Sequence, residues 1–180
     1  AQRGGQFEEH GIDVMEPIVG RGVLLDVAGL HETDVLPGGY GITKEDLRAA
    51  AEKVGVEIRG GDVALIHSGW SRNFADAEAF LGHETGVPGP DESAARWLAG
   101  RGVRATGAET IAYEQIKPEI GHRLLPVHRL LLVEDGIHII EVMNLAGLAA
   151  AGIYEFLFVL APLKISGGTG SPVRPLAVVD

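Results

Sequence analysis

Residues Gly20 to Leu30 read GRGVLLDVAGL, and residues Asp62 to Ser68 read DVALIHS. The first is a short apolar run framed by glycines, the pattern of a strand buried on both faces, and the second reads as a further strand, ended by Gly69-Trp70. Between them Thr43-Lys44-Glu45-Asp46-Leu47 opens a helix, with Thr43 as N-cap and acidic residues in the first turn. Leu47, Ala50, Ala51 and Val54 give that helix an apolar stripe, and Gly55 supplies its stop. Strand, helix, strand is the unit from which the rest of the chain is read.

The alternation continues. Ser71 to Gly89 reads as an irregular excursion with a short helix at Asp76 to Leu81. A helix from Pro90 and Asp91 through Gly100 follows, with Ala94, Ala95, Trp97 and Leu98 packing inward. Val103 to Gly107 is a short strand, and Ala108 to Pro126 is rich in loop. Pro126 to Val133 has helical spacing, Ile137 to Met143 is a strand, and Asn144 to Gly152 is a helical turn. Strands at Tyr154 to Ile165 and Val173 to Val179 close the chain. The expected fold class is α/β, one domain over residues 1–180 with a mixed central sheet and flanking helices.

Composition narrows the function. The 180 residues carry a net charge of −10, which repels a phosphate backbone or an anionic membrane surface, so no nucleic-acid or membrane partner is expected. There is no cysteine, which removes disulfides, thiolate metal sites and a cysteine nucleophile together. The longest apolar stretch, Phe156 to Leu163, is far short of the ~20 residues that span a bilayer, and the expected location is the cytoplasm. The chain opens Ala1-Gln2-Arg3-Gly4-Gly5 without an initiator Met, which reads as a removed leader or a start partway through a longer protein. No P-loop, dinucleotide fingerprint, nucleophile elbow or zincin motif occurs.

The informative residues are polar ones set in apolar runs. In Ile137-His138-Ile139-Ile140-Glu141-Val142-Met143, strand alternation puts Glu141 on a face with Ile137, Ile139 and Met143. A carboxylate there needs a cation or several donors. His128 stands thirteen residues upstream, at the start of the helix that feeds the strand, and the turn at Asp135-Gly136 is able to bring the two together. Such a pair suits a divalent metal, zinc or manganese, or a general-base relay, or simply a hydrogen bond between two half-buried groups. Asp26 reads as a strand-end carboxylate that accepts N–H groups from the next loop. His67 ends its strand, where α/β sites gather. Trp70 and Arg72 follow it as a candidate wall for a flat substrate, and Glu109-Thr110 lies beyond another strand end. His10, His31, His83, His122 and His138 read as surface or loop residues.

Five stretches go further: GRGVLLDVA (20–28), GGDVALIHSGW (60–70), ESAARWLAGRGVRATGAETIAYE (92–114), PVHRLLLVEDGIHIIEVMNL (126–145) and GIYEFLFVLAPLKISGGTGSPVRPLAVV (152–179). In order and spacing the chain resembles the cyclase family of metal-dependent hydrolases, whose members include kynurenine formamidases and isatin hydrolases. The resemblance implies a swivelling β/β/α-type fold, a homo-oligomer (dimer or tetramer), and hydrolysis of a C–N bond in a small formamide or cyclic amide. It also implies that His128 and Glu141 join the metal centre; zinc and manganese both accept such donors, and His67 and Trp70, from their place at a strand end, read as substrate-binding residues. The family's primary metal motif, H-x-G-T-H-x-D followed by a further His, is not in these 180 residues, so an N-terminal portion that carries it is expected to be lacking here. A metal-free scaffold or oligomerisation domain of the same fold is the competing expectation, and a lactone or ester hydrolase a third.

Overall fold

The apolar runs become strands because they satisfy their backbone groups side by side while burying both faces, and the amphipathic segments between them become helices. In the computed structural model residues 2–3, 6–7 and 11–179 are described. They fall into two compact units, residues 22–155 and residues 1–21 with 156–180.

In chain order the strands are β1 (Gln2–Arg3), β2 (Gln6–Phe7), β3 (Ile18–Asp26), β4 (Gly41–Ile42), β5 (Val63–His67), β6 (Gly89–Pro90), β7 (Ala105–Ala108), β8 (His138–Ile140), β9 (Glu155–Leu160) and β10 (Leu176–Val178). The α-helices are α1 (Val27–Leu30), α2 (Lys44–Val54), α3 (Ala77–Leu81), α4 (Glu92–Arg101), α5 (Pro126–His128) and α6 (Ala146–Ala150).

The larger unit is built on parallel pairing. Residues 22–26 of β3 pair with β5, β5 with β7, and β7 with β8. Every position of β5 and of β7 is buried, which is why neither shows polar alternation. α2 and α4 lie between successive strands in sequence, and their inward side chains Leu47, Ala50, Ala94, Ala95 and Leu98 join the core with Val23, Leu25, Ile66 and Leu131. α2 has both halves of a capping box between Thr43 and Asp46, and Gly55 ends it in the left-handed region at φ 70°. β4 and β6 form a separate short parallel pair.

In the smaller unit β9 and β10 pair antiparallel, as do β1 and β2. Parallel and antiparallel pairing together make the α/β fold mixed, as expected from the sequence.

Several boundaries differ from the sequence reading. The run from Gly20 to Leu30 stops being a strand at Asp26, where the carboxylate caps the turn α1 by accepting the N–H of Gly29. The stretch from Pro126 to Val133 is one α-helical turn, α5, followed by a π-helical segment at Arg129–Glu134. The strand expected over Ile137 to Met143 is only β8. Beyond it the N–H of Val142 turns to the carbonyl of Thr110 and that of Met143 to Ala108, with Val142 at φ 56°. Glu141 therefore sits just past the strand end, and strand alternation is not what orients it. β9 and β10 are likewise shorter than their apolar runs. Among the described residues no helix is long and apolar enough to cross a membrane.

Candidate functional site

Four parallel strands end side by side, and each end carries a titratable residue. Asp26 is the last residue of β3 and His67 the last of β5, while Glu109 and Glu141 are the first residues past β7 and β8. The carboxyl edge of a parallel sheet is where α/β proteins build their sites, because the loops that leave it are free of the ladder.

His128 and Glu141 meet. Nε2 of His128 lies 3.3 Å from Oε1 of Glu141, with side-chain exposures of 23% and 39%. The other ring nitrogen, Nδ1, donates to Oε1 of Glu114 at 2.6 Å. Glu114 is 1% exposed and also accepts the backbone N–H of His128 at 2.9 Å and of Val127 at 3.1 Å. Burial works against a charged His128, yet its hydrogen bonds to Glu114 and Glu141 and the charges of both outweigh that and raise its pKa to about 9. Both ring nitrogens of His128 are thus engaged by carboxylates, and a cation that takes Nε2 has to displace the proton shared with Glu141.

His67 pairs instead with Asp26, Nδ1 to Oδ1 at 2.7 Å. Burial disfavours the ionised Asp26, but the His67 hydrogen bond and the Gly29 N–H hold its pKa below the ordinary value. Burial likewise disfavours the charged His67, but the Asp26 hydrogen bond and the negative charges of Glu109 and Asp26 hold its pKa above the ordinary value, against Arg72. The sequence reading of Asp26 as a loop-capping carboxylate describes half of what it does.

Glu109 is a brace. It has no exposed surface. Its Oε2 accepts the N–H and hydroxyl of Ser68 and the N–H of Trp70, and its Oε1 accepts the N–H of Leu145. Two chain segments, residues 68–70 and the one at Leu145, are thereby tied to the end of β7. Trp70 is buried in a small apolar cluster with Val87, Ala112 and Ile116, and its indole N–H is donated to the carbonyl of Phe80.

Two residues escaped the sequence reading. Glu114 lies in the segment read only as loop-rich, fourteen positions from His128, where no periodicity connects them. His31, read as a lone loop histidine, has its Nε2 2.9 Å from Oδ1 of Asp46 and 3.0 Å from the Tyr40 hydroxyl. Asp46 is kept ionised despite burial by the Thr43 N–H and hydroxyl and by His31. The acidic residue in the first turn of α2 was the available signal. His83 is exposed, while His10 and the side chain of His122 lie outside the described residues.

A divalent metal is tested here by the chemistry of the donors. Nε2 of His128 and the Glu141 carboxylate face each other, and Nδ1 is already engaged by Glu114, the usual outer partner of a ligating histidine. Among the described residues no group of three or more His, Asp and Glu side chains surrounds one position. The pair fits as two members of a coordination shell, since a catalytic zinc takes about three protein ligands.

Parallel strands carrying acid–histidine pairs at their carboxyl ends define an α/β protein with its candidate site on that edge. More particularly, the chain belongs to the family described as Putative cyclase, which residues 4–115 match. It is 33% identical over 137 residues to the isatin hydrolase of Roseibium aggregatum, a match covering 74% of this chain and 51% of that protein. A crystal structure of a novel cyclase superimposes with a TM-score of 0.82 at 32% identity, over 94% of this chain and 57% of that one. An isatin hydrolase bound to the product analogue thioisatinate superimposes with a TM-score of 0.74 at 25% identity, over 89% and 60%. A potential metal-dependent hydrolase with cyclase activity does so with a TM-score of 0.60 at 26% identity, over 94% and 68%. The chain spans about half the length of the curated relative it matches.

Proposed function

We propose that this chain supplies part of the site of a metal-dependent hydrolase that opens the C–N bond of a small formamide or cyclic amide, in the manner of an arylformamidase. The observation that carries the reading is the 3.3 Å approach of His128 Nε2 to Glu141, with Nδ1 already taken by Glu114. Support comes from the relative named isatin hydrolase and the neighbour holding thioisatinate, since isatin is a flat cyclic aryl amide.

His128 and Glu141 would hold zinc or manganese, which supplies a polarised carbonyl and a water acidified towards neutrality. His128 presents Nε2 as ligand or proton carrier, and Glu141 faces it as the second donor. Water adds to the amide carbonyl, the C–N bond breaks, and the nitrogen leaves with a proton, giving a carboxylate and an amine. His67, oriented by Asp26, binds the substrate from the end of β5, two strands away from β8. Trp70, whose N–H is already spent on Phe80, contributes a fixed aromatic wall rather than a donor. The active form is a homo-oligomer, a dimer or tetramer.

The test is turnover of isatin and of formanilide by the full-length protein purified with zinc or manganese. His128→Ala is expected to lose about 10²–10⁴-fold in kcat with an unchanged melting temperature. Retained turnover in that variant removes His128 from the reaction. A wild-type protein that binds neither metal and turns over neither amide is instead a metal-free scaffold.

A further inference from the structure

We infer that Glu114 is the positioning residue of this site: it sets the His128 ring so that Nε2, and not Nδ1, is presented towards Glu141. The inference rests on the reading of His128 as a metal ligand and deepens it. The geometry gives the task of holding the histidine's tautomer to Glu114, on Nδ1, and leaves Glu141 on the opposite nitrogen. A carboxylate can only accept, so a proton stays on Nδ1 whatever Nε2 binds. The backbone N–H groups of Val127 and His128 close on the same carboxylate, so backbone and ring are referenced to one buried group.

The segment that carries Glu114 is itself held hard. Tyr113 has φ 57°, a left-handed backbone that a bulky aromatic adopts only where its surroundings enforce it, and it is fully buried. Its hydroxyl is bonded to Thr106 on β7 at 2.8 Å, and the Glu114 N–H returns to the carbonyl of Ala112. The next two residues are bonded to the β6 region, Gln115 N–H to the Pro90 carbonyl and Ile116 N–H to Val87. Against them lies Gly89, where a Cβ would overlap the Tyr113 carbonyl oxygen and the Glu114 carbonyl carbon. A residue needed only to cap the turn α5 does not require its backbone gripped from two sides, and its shortest contact is to the ring rather than to the cap.

The experiment is calorimetric titration of the full-length protein with Zn²⁺ alone. Glu114→Gln keeps one acceptor oxygen for the His128 N–H and ring, turns an amide NH₂ towards the Val127 N–H, and removes the charge behind the ring. It is expected to bind Zn²⁺ about 10–100-fold more weakly while still folding, with a lowered melting temperature. Tyr113→Phe removes one hydrogen bond from the same segment but keeps the carboxylate, and is expected to weaken Zn²⁺ binding by clearly less than Glu114→Gln does. Should Glu114→Gln bind as wild type, or Tyr113→Phe weaken binding as much, the positioning role is overturned. Should Glu114→Gln fail to fold, Glu114→Asp decides, since it keeps the charge but draws the acceptor back by one methylene. It is expected to bind several-fold more weakly, and wild-type affinity overturns the inference. His128→Ala separates the two levels: if it too binds Zn²⁺ as wild type, the metal reading fails, whereas loss in His128→Ala alone overturns only the role of Glu114.

Discussion

Asp26 and His67 occupy paired register positions on two neighbouring parallel strands, and Oδ1 of the first lies 2.7 Å from Nδ1 of the second. The pair makes stability depend on pH from both sides. His67 has its pKa raised, so its contribution is complete below the ordinary histidine value of 6.5 and is lost as pH climbs through the raised folded value. Asp26 has its pKa lowered, so its contribution is present above the ordinary value of 3.8 and is lost as pH falls through the lowered folded value. Between those two ordinary values both contributions stand. Asp26→Asn is expected to cost about 1.5–3 kcal/mol at pH of about 5 and less at a pH above the raised folded value of His67, where His67 gives up its charge. Urea unfolding of the two proteins at both pH values measures this, and a cost that grows with pH contradicts it.

Glu109 accepts three backbone N–H groups and one hydroxyl with no exposed surface of its own. In Glu109→Gln an amide NH₂ must face at least one of those donors, and the charge that strengthens the remaining bonds is gone. The expected loss is about 2–3 kcal/mol of unfolding free energy. A denaturant midpoint within error of wild type shows that the brace is dispensable.

Gly89 has no room for a side chain, because its neighbours on that side are backbone atoms of Tyr113 and Glu114, which cannot rotate away. Gly89→Ala is expected to cost about 1–3 kcal/mol and to lower amide turnover at the same time, by displacing Glu114 from His128. Thermal melting and kcat measured together check it. Lost stability with untouched turnover would sever β6 from the site.

Thr106 donates its hydroxyl proton to the Ala64 carbonyl at 2.9 Å, so in the 2.8 Å contact with Tyr113 the tyrosine is the donor. Tyr113→Phe removes one donor and leaves the Thr106 bond to Ala64 intact. The expected cost is about 1 kcal/mol, read from the shift in melting temperature. A loss several times larger means that the left-handed turn at Tyr113 depends on this bond.

Much of the fold was legible because its causes are local. The fully apolar run Val63–Ile66 demands burial on both faces, the capping box of Thr43 and Asp46 spans three residues, and Gly55 needs only its own missing Cβ to close α2. The approach of His128 to Glu141 was within reach for a similar reason, since only a short helical segment and one glycine turn separate them. What failed was the detail of the approach. β8 ends early because Val142 and Met143 spend their N–H groups on Thr110 and Ala108, partners more than thirty residues away that no run of letters around Glu141 reveals.

From its sequence alone this protein is determined as an α/β chain of buried strands and capped helices, strongly acidic, without thiol chemistry, and with an imidazole and a carboxylate placed to meet. Only the tertiary structure decided which acid stands behind which histidine: Glu114 behind His128, Asp26 behind His67, Asp46 behind His31. Propensity and patterning act over one or two turns of chain, whereas these partners are 14, 41 and 15 residues apart and meet only where the sheet brings strand ends and loops together.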